Sequence, residues 1–167
     1  MKTLGNKIKS AADISSSIKR IAYQIYENNV DETNLVIAGI GKEGTQLAFL
    51  LGDVLKVISP LRLIHVNLEM NKSNPRDTVK SSSPIENFKD HSIVIIDDVL
   101  NTGSTLIYAV SYFLQIPVKQ INTAVMVNRN HKKYPIKADF KGISLSTSLN
   151  DHVKVVLEGE ESGIYLS

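Results

Sequence analysis

Apolar residues Ile14, Ile18, Ile21, Ala22 and Ile25 recur at three- and four-residue spacing, which predicts an amphipathic helix. Ser10 and Asp13 stand ahead of it as a capping box, and Asn28-Asn29 suits its end. The pattern then changes. Leu35-Val36-Ile37-Ala38 is a short unbroken apolar run before glycines, as expected of a strand buried on both faces of a parallel sheet. A second helix is predicted over 45–57 from the stripe Leu47, Leu50, Leu51, Val54 and Leu55, and a second strand over 61–68. Residues 71–87 hold Asn, Ser, Pro, Arg and Lys and almost nothing apolar. They read as a long flexible loop, and such loops in compact domains are functional or disordered. A third buried strand is predicted over 92–96, a helix over 104–114 and a fourth strand over 120–127. The tail offers shorter β-like pieces over 136–140, 153–157 and 164–166.

Strand, helix, strand, helix, strand in this order implies an α/β fold with a mainly parallel sheet and right-handed crossovers. No linker or repeat divides the chain, so residues 1–167 are expected to form a single domain. In such sheets ligands sit beyond the carboxyl ends of the strands. Two segments are expected there, 39–44 and 97–105, and the function should be read from them.

Composition narrows the choice by exclusion. The chain has no cysteine, so disulfides and thiolate metal sites are ruled out. The four histidines, His65, His91, His131 and His152, do not stand at metal-ligand spacing. The longest apolar stretch, near 47–55, is interrupted by Gly52 and Asp53 and is too short for a membrane span. Met1 to Ser10 is polar, without the apolar core of a signal peptide. A cytoplasmic protein is expected. The net charge of +2, from 19 basic and 17 acidic residues, is too mild to argue for nucleic acid on its own. The cluster Arg129-Asn130-His131-Lys132-Lys133 reads first as a solvated loop.

The first segment, Gly39-Ile40-Gly41-Lys42-Glu43-Gly44, follows a strand and opens a helix. It fits the formal dinucleotide fingerprint, but the acid expected about 20 residues on is missing: Ile64 and His65 stand there. The physics survives a change of ligand. Glycines let the backbone approach an anion, and N–H groups at a helix start donate to it. The second segment is more specific. The strand Ile93-Val94-Ile95-Ile96 leads into two adjacent carboxylates, Asp97 and Asp98, and then into Asn101, Thr102, Gly103, Ser104 and Thr105. Two neighbouring acids repel unless hydroxyls or a cation satisfy them. The hydroxyl-rich helix start suits a phosphate. Together they fit a phosphorylated polyol: carboxylates accept from vicinal hydroxyls, and backbone N–H groups take the phosphate.

This second segment resembles the signature of type I phosphoribosyltransferases: four apolar residues, two acids, then Thr-Gly-x-Thr. The likeness extends over nearly the whole chain to one subgroup, the bifunctional pyrimidine-operon attenuators that are also uracil phosphoribosyltransferases. It includes Ile18 to Ile25, Asp97 to Leu100, Val127 to His131, Pro135 to Phe140, and Thr147-Ser148. The resemblance implies the type I fold, with a small C-terminal hood and a flexible loop. It implies that uracil and 5-phosphoribosyl-1-pyrophosphate (PRPP) become UMP and pyrophosphate. Asp97 and Asp98 would hold the ribose hydroxyls, 102–105 the 5-phosphate, 39–44 the pyrophosphate, and Asp139 and Phe140 the base. Magnesium would arrive with the pyrophosphate, within reach of Asp97 and Asp98, and a homodimer is expected. The chain departs from the subgroup at Gly41, Lys42 and Glu43, at 67–74, and at Asn101, which replaces a tyrosine. Two alternatives stay open: a nucleotide-sensing attenuator that binds RNA, and a degenerate nucleotide-binding paralogue. Candidate RNA contacts are Lys19, Arg20, Arg129, Lys132 and Lys133, too few for more than weak, salt-sensitive binding.

Overall fold

The computed structural model describes residues 3–167. Met1 and Lys2, at the start of the polar N-terminus, lie outside the described residues. A short strand, β1 (Asn6–Ser10), leads directly into α1 (Ala11–Asn28). Ser10 Oγ accepts from Asp13 N at 3.2 Å while Asp13 Oδ2 accepts from Ser10 N at 2.9 Å, so the capping box forms as expected. Then follow β2 (Asn34–Ile40), α2 (Gly41–Ile58), β3 (Arg62–Glu69), β4 (Lys80–Ser81), β5 (Ser92–Leu100), α3 (Ser104–Phe113), β6 (Gln120–Asn128), β7 (Phe140–Ser144), β8 (Val153–Val156) and β9 (Gly163–Leu166).

Six strands form one sheet in the order β4-β3-β2-β5-β6-β7, parallel except for the edge strand β4. Both faces of its central strands are buried, and their side chains alternate between two cores. Leu35, Ile37, Val94 and Ile96 face Leu47, Leu51 and Leu55 of α2 and Ile18, Ile21 and Ile25 of α1. Val36, Ala38, Ile93 and Ile95 face Leu106, Ala109 and Phe113 of α3. The crossover from β2 runs toward β3 and that from β5 toward β6. The chain therefore diverges between β2 and β5, and a crevice opens at their carboxyl ends.

The remaining three strands form a small antiparallel sheet in the order β1-β9-β8. Sequence pattern did not announce β1, because Asn6-Lys7-Ile8-Lys9-Ser10 carries almost no apolar residue; it is a strand because β9 pairs with it. The tail strand expected over 136–140 begins only at Phe140 and runs to Ser144. Residues 71–87 are mostly irregular, with the two-residue β4 and a 3-10 turn at Ile85–Phe88. Among the described residues no helix is long and apolar enough to cross a membrane.

Candidate functional site

The carboxylate pair is set by how far β5 runs. Its pairing with β2 ends at Ile96, opposite Gly39, but Asp97, Val99 and Leu100 continue to pair with Val125, Val127 and Asn128 of β6. Asp97 and Asp98 therefore belong to the strand itself rather than to a loop beyond it. From Asp97 onward β5 has no strand partner on its β2 side, where Gly44 of α2 packs closely against Ile96 and Asp97. Asp97 is buried and Asp98 half-buried, and each accepts a hydrogen bond at 2.9 Å from the backbone N–H of the next residue.

A cation meets them. Lys72, on the irregular segment between β3 and β4, places Nζ 3.1 Å from Asp97 Oδ1 and 3.9 Å from Asp98 Oδ1. Burial pushes the Asp97 carboxyl up to about 7; Lys72 opposes that shift and Asp98 adds to it. Burial also works against the Lys72 ammonium, but Asp97, Asp98 and, more weakly, Glu43 outweigh it and hold its pKa above the usual lysine value. Lys72 therefore stands as a cation in a pocket of acids.

After the pair the chain turns sharply. Gly103 takes φ 87°, the left-handed region, and an added Cβ there would collide with the side chain of Ile136. Ser104 N donates to Thr102 Oγ1 at 3.2 Å, and Thr102 O accepts from Lys133 N at 2.8 Å. α3 has no side-chain cap at its start, so first-turn N–H groups remain for an anion. A cavity of about 180 Å³ lies here, lined by Lys72, Asp97, Asn101, Thr102, Gly103, Ser104 and Thr105.

The segment 39–44 is placed differently from the expected loop. Gly39 and Ile40 finish β2, and Gly41 already opens α2, with no connecting residue between them. Lys42 and Glu43 are exposed and Gly44 is buried. This first helical turn also lacks a side-chain cap. It stands beside the carboxylates, one strand away, and lines a separate pocket through Gly41, Lys42 and Thr45.

Asp139 and Phe140 are not brought to the cavity. Phe140 pairs with Ala124, and the register then runs on to Ser144 opposite Asn128 at the carboxyl end of β6. Its ring packs against the core under α1. Asp139 Oδ2 accepts from Thr123 N at 3.0 Å, on the middle of β6. An apolar ring is drawn into the core and a carboxylate to a free backbone N–H, and both leave the open edge.

Another residue reaches that edge instead. Arg129, the first residue after β6, is 9% exposed. Its guanidinium donates to Asn101 Oδ1 (3.0 Å), Thr147 Oγ1 (3.0 Å), Ser148 O (3.1 Å) and Asp151 O (2.7 Å). It ties the turn before α3 to the tail. Sequence reading set it in a solvated basic cluster and among the candidate RNA contacts, not at the site. The signal was its position directly after a buried strand. Lys72 had no local signal, since its partners lie 25 residues on. Asp97 and Asp98 offer oxygen donors around a point where a cation already sits, which suits a metal ion carried by a phosphate. Among the described residues no cluster of three or more His, Cys, Asp or Glu forms a protein-only metal site.

The sequence profile of the family described as "Phosphoribosyl transferase domain" matches residues 6–159. Among curated relatives, the bifunctional protein PyrR of Leuconostoc mesenteroides is 34% identical over 154 residues, covering 88% of each chain. That of Pediococcus pentosaceus is 31% identical over 159 residues, covering 89% of this chain and 90% of its own. Among solved structures, the hypoxanthine phosphoribosyltransferase of Trypanosoma cruzi superposes with a TM-score of 0.81 at 16% identity, over 98% of this chain and 97% of that one. The Staphylococcus aureus hypoxanthine phosphoribosyltransferase gives 0.73 at 19%, over 86% and 79%. At these identities the two structures show the fold alone.

Proposed function

The chain belongs to the phosphoribosyl transferase domain family, and from that premise we propose that it transfers the phosphoribosyl group of PRPP to uracil, giving UMP and pyrophosphate. The observation that carries this reading is the cavity at the end of β5, which joins a carboxylate pair to an uncapped, hydroxyl-lined helix start. Asp97 and Asp98 accept from the two ribose hydroxyls. The first turn of α3, with Thr102, Ser104 and Thr105, takes the 5-phosphate. The first turn of α2, with Lys42, faces the pyrophosphate. Lys72 leaves the carboxylates as the sugar arrives, and its segment closes over the ligand and excludes water. The base nitrogen N1 forms a bond to ribose C1, the C1–oxygen bond breaks, and its electron pair leaves with pyrophosphate. The N1 proton passes to water. Charge builds on the departing pyrophosphate and on an oxocarbenium-like ribose, and fixed donors oriented at those charges lower the barrier. Asp97 and Asp98 would help to hold a magnesium ion arriving with PRPP, and the ion would supply charge neutralisation.

The relatives' pyrimidine connection, carried by the PyrR matches, supports uracil over a purine. Pyrophosphate release with PRPP, magnesium and a panel of bases tests it: uracil is expected to turn over fastest, and faster turnover of hypoxanthine or guanine contradicts it. RNA regulation ranks below catalysis. Arg129 is spent inside the fold, and Arg20 donates to the main-chain oxygens of Lys141 (2.9 Å) and Gly142 (2.6 Å). Only Lys19, Lys132 and Lys133 of the candidate contacts remain uncommitted among the described bonds. Weak, salt-sensitive binding to a pyrimidine-operon leader is expected in a filter-binding titration; nanomolar, uridine-nucleotide-dependent affinity reverses the ranking. A homodimer is part of the same reading, and light scattering checks it.

A further inference from the structure

We infer that Lys72 is a built-in counter-ion that keeps the ligand-free carboxylate pair closed to a free divalent metal ion, so that the pair opens only when cation and sugar arrive together. The inference deepens the proposed reaction and rests on it. Lys72 Nζ stands 3.1 Å from Asp97 Oδ1 and 3.9 Å from Asp98 Oδ1, and the side chain lines the cavity itself. One ammonium therefore occupies the point that a cation carried by a phosphate has to reach.

The segment that carries Lys72 is fastened to itself. Asn71 Oδ1 accepts from the backbone N–H groups of Ser73 (3.0 Å) and Asn74 (3.3 Å). Asn71 Nδ2 and Asn74 Nδ2 donate to the two carboxylate oxygens of Asp77, at 2.9 and 2.7 Å. Asn74 N and Asp77 N donate to the main-chain oxygens of Asn71 and Asn74. Asn71, Asn74 and Asp77, all exposed, thus form a clasp around the residue that reaches inward. Among the described residues, Lys72 is the one side chain of 71–78 hydrogen-bonded to the large sheet. A segment that holds its own shape and is anchored by one ion pair comes away as a unit when that ion pair is replaced.

The replacement is selective. Two adjacent acids repel when no cation is near. Lys72 relieves this as a compact single charge that needs no coordination shell. A free magnesium ion has to displace the ammonium and shed water that it gives up reluctantly. With PRPP the ribose hydroxyls donate to the carboxylates at the same time, so a cation and two donors together replace one ammonium.

The test is titration of manganese into the full chain without ligand, followed by loss of the free ion's paramagnetic resonance signal. Manganese takes the same oxygen ligands as magnesium. Lys72→Met should bind it at least about tenfold more tightly than the wild type. Lys72→Arg keeps a cation in place and should stay within about threefold of the wild type. Lys72→Met combined with Asp98→Asn should lose the gain. Asp77→Ala unfastens the clasp, keeps the lysine and should show part of the gain; if Lys72→Met does not fold, it decides alone. Equal affinity in wild type and Lys72→Met, an equal gain in Lys72→Arg, or a gain that survives Asp98→Asn overturns the inference. Calorimetric titration of PRPP with magnesium into the wild type separates the two claims. Failure to bind overturns the proposed reaction and this inference with it, whereas binding without a Lys72-dependent gain for manganese overturns this inference alone.

Discussion

Two strand-to-helix junctions stand side by side at one edge of the sheet, and they are built differently. Both place a glycine in the left-handed region at the start of a helix, Gly41 at φ 64° and Gly103 at φ 87°. Both helices start without a side-chain cap. At Gly103 the surroundings are full: Ile136 lies over it, Thr102 is fastened to Lys133, and hydroxyls flank the turn. At Gly41 an added Cβ would meet nothing within 4 Å, and the next two residues are an exposed lysine and an exposed glutamate. In the proposed reaction the Gly103 junction is the one pre-organised for an anion. The second is open, carries both signs of charge, and leaves positioning to the ligand. A site that must grip a sugar phosphate and release a pyrophosphate can use that asymmetry.

The largest effect should come from filling the crowded junction. Gly103→Val forces a β-branched residue into positive φ and against Ile136. PRPP affinity should drop on the order of 100-fold or more. Gly41→Ala, in open space, should cost far less, about a few-fold. Calorimetry on the pair checks the ordering, and equal losses would erase the contrast between the two junctions.

Next comes the buried acid beside them. Because burial raises Asp97 from 3.8 to about 7, the folded protein binds a proton there more tightly than the unfolded chain. Stability of the ligand-free protein should therefore fall as pH rises from about 4 to about 7 through this group. Asn at this position cannot ionise. Asp97→Asn should raise the ligand-free melting temperature by several degrees at pH 8 and lose that advantage near pH 4. Thermal melts across that range check it; a variant less stable at pH 8 would show that the Lys72 pair outweighs burial.

The smallest effect concerns the open junction. Glu43 is exposed and close enough to add to the field on Lys72. Beside a pyrophosphate it works against a polyanion. Glu43→Arg should lower the KM for PRPP a few-fold, damped by solvent screening. An unchanged or higher KM in steady-state kinetics would mean that the side chain points away from the pyrophosphate.

The same contrast explains what the sequence disclosed. Helices, buried strands and the Asp97 to Thr105 segment were legible because each is a local pattern: a period, a capping box, two acids before a hydroxyl run. The helix that the 39–44 segment opens was placed from 45 rather than from Gly41, because glycines after a strand read as a connecting turn, although here the strand passes straight into the helix. β1 was invisible because its strand character comes from β9, more than 150 residues away. Lys72 and Arg129 act through partners distant in sequence, so no spacing rule reaches them. Asp139 and Phe140 were expected in the cavity, but Phe140 pairs with Ala124 in the middle of β6 and packs its ring into the core, while Asp139 is taken up by Thr123 N.

The central claim is that the carboxylate pair and the α3 junction together hold PRPP. The most direct measurement is calorimetric titration of PRPP with magnesium into the wild type, Asp97→Asn and Asp98→Asn. Loss of one charged hydrogen bond should weaken binding at least about tenfold in Asp98→Asn, with a loss in Asp97→Asn as well. Unchanged affinity in both variants would contradict the account.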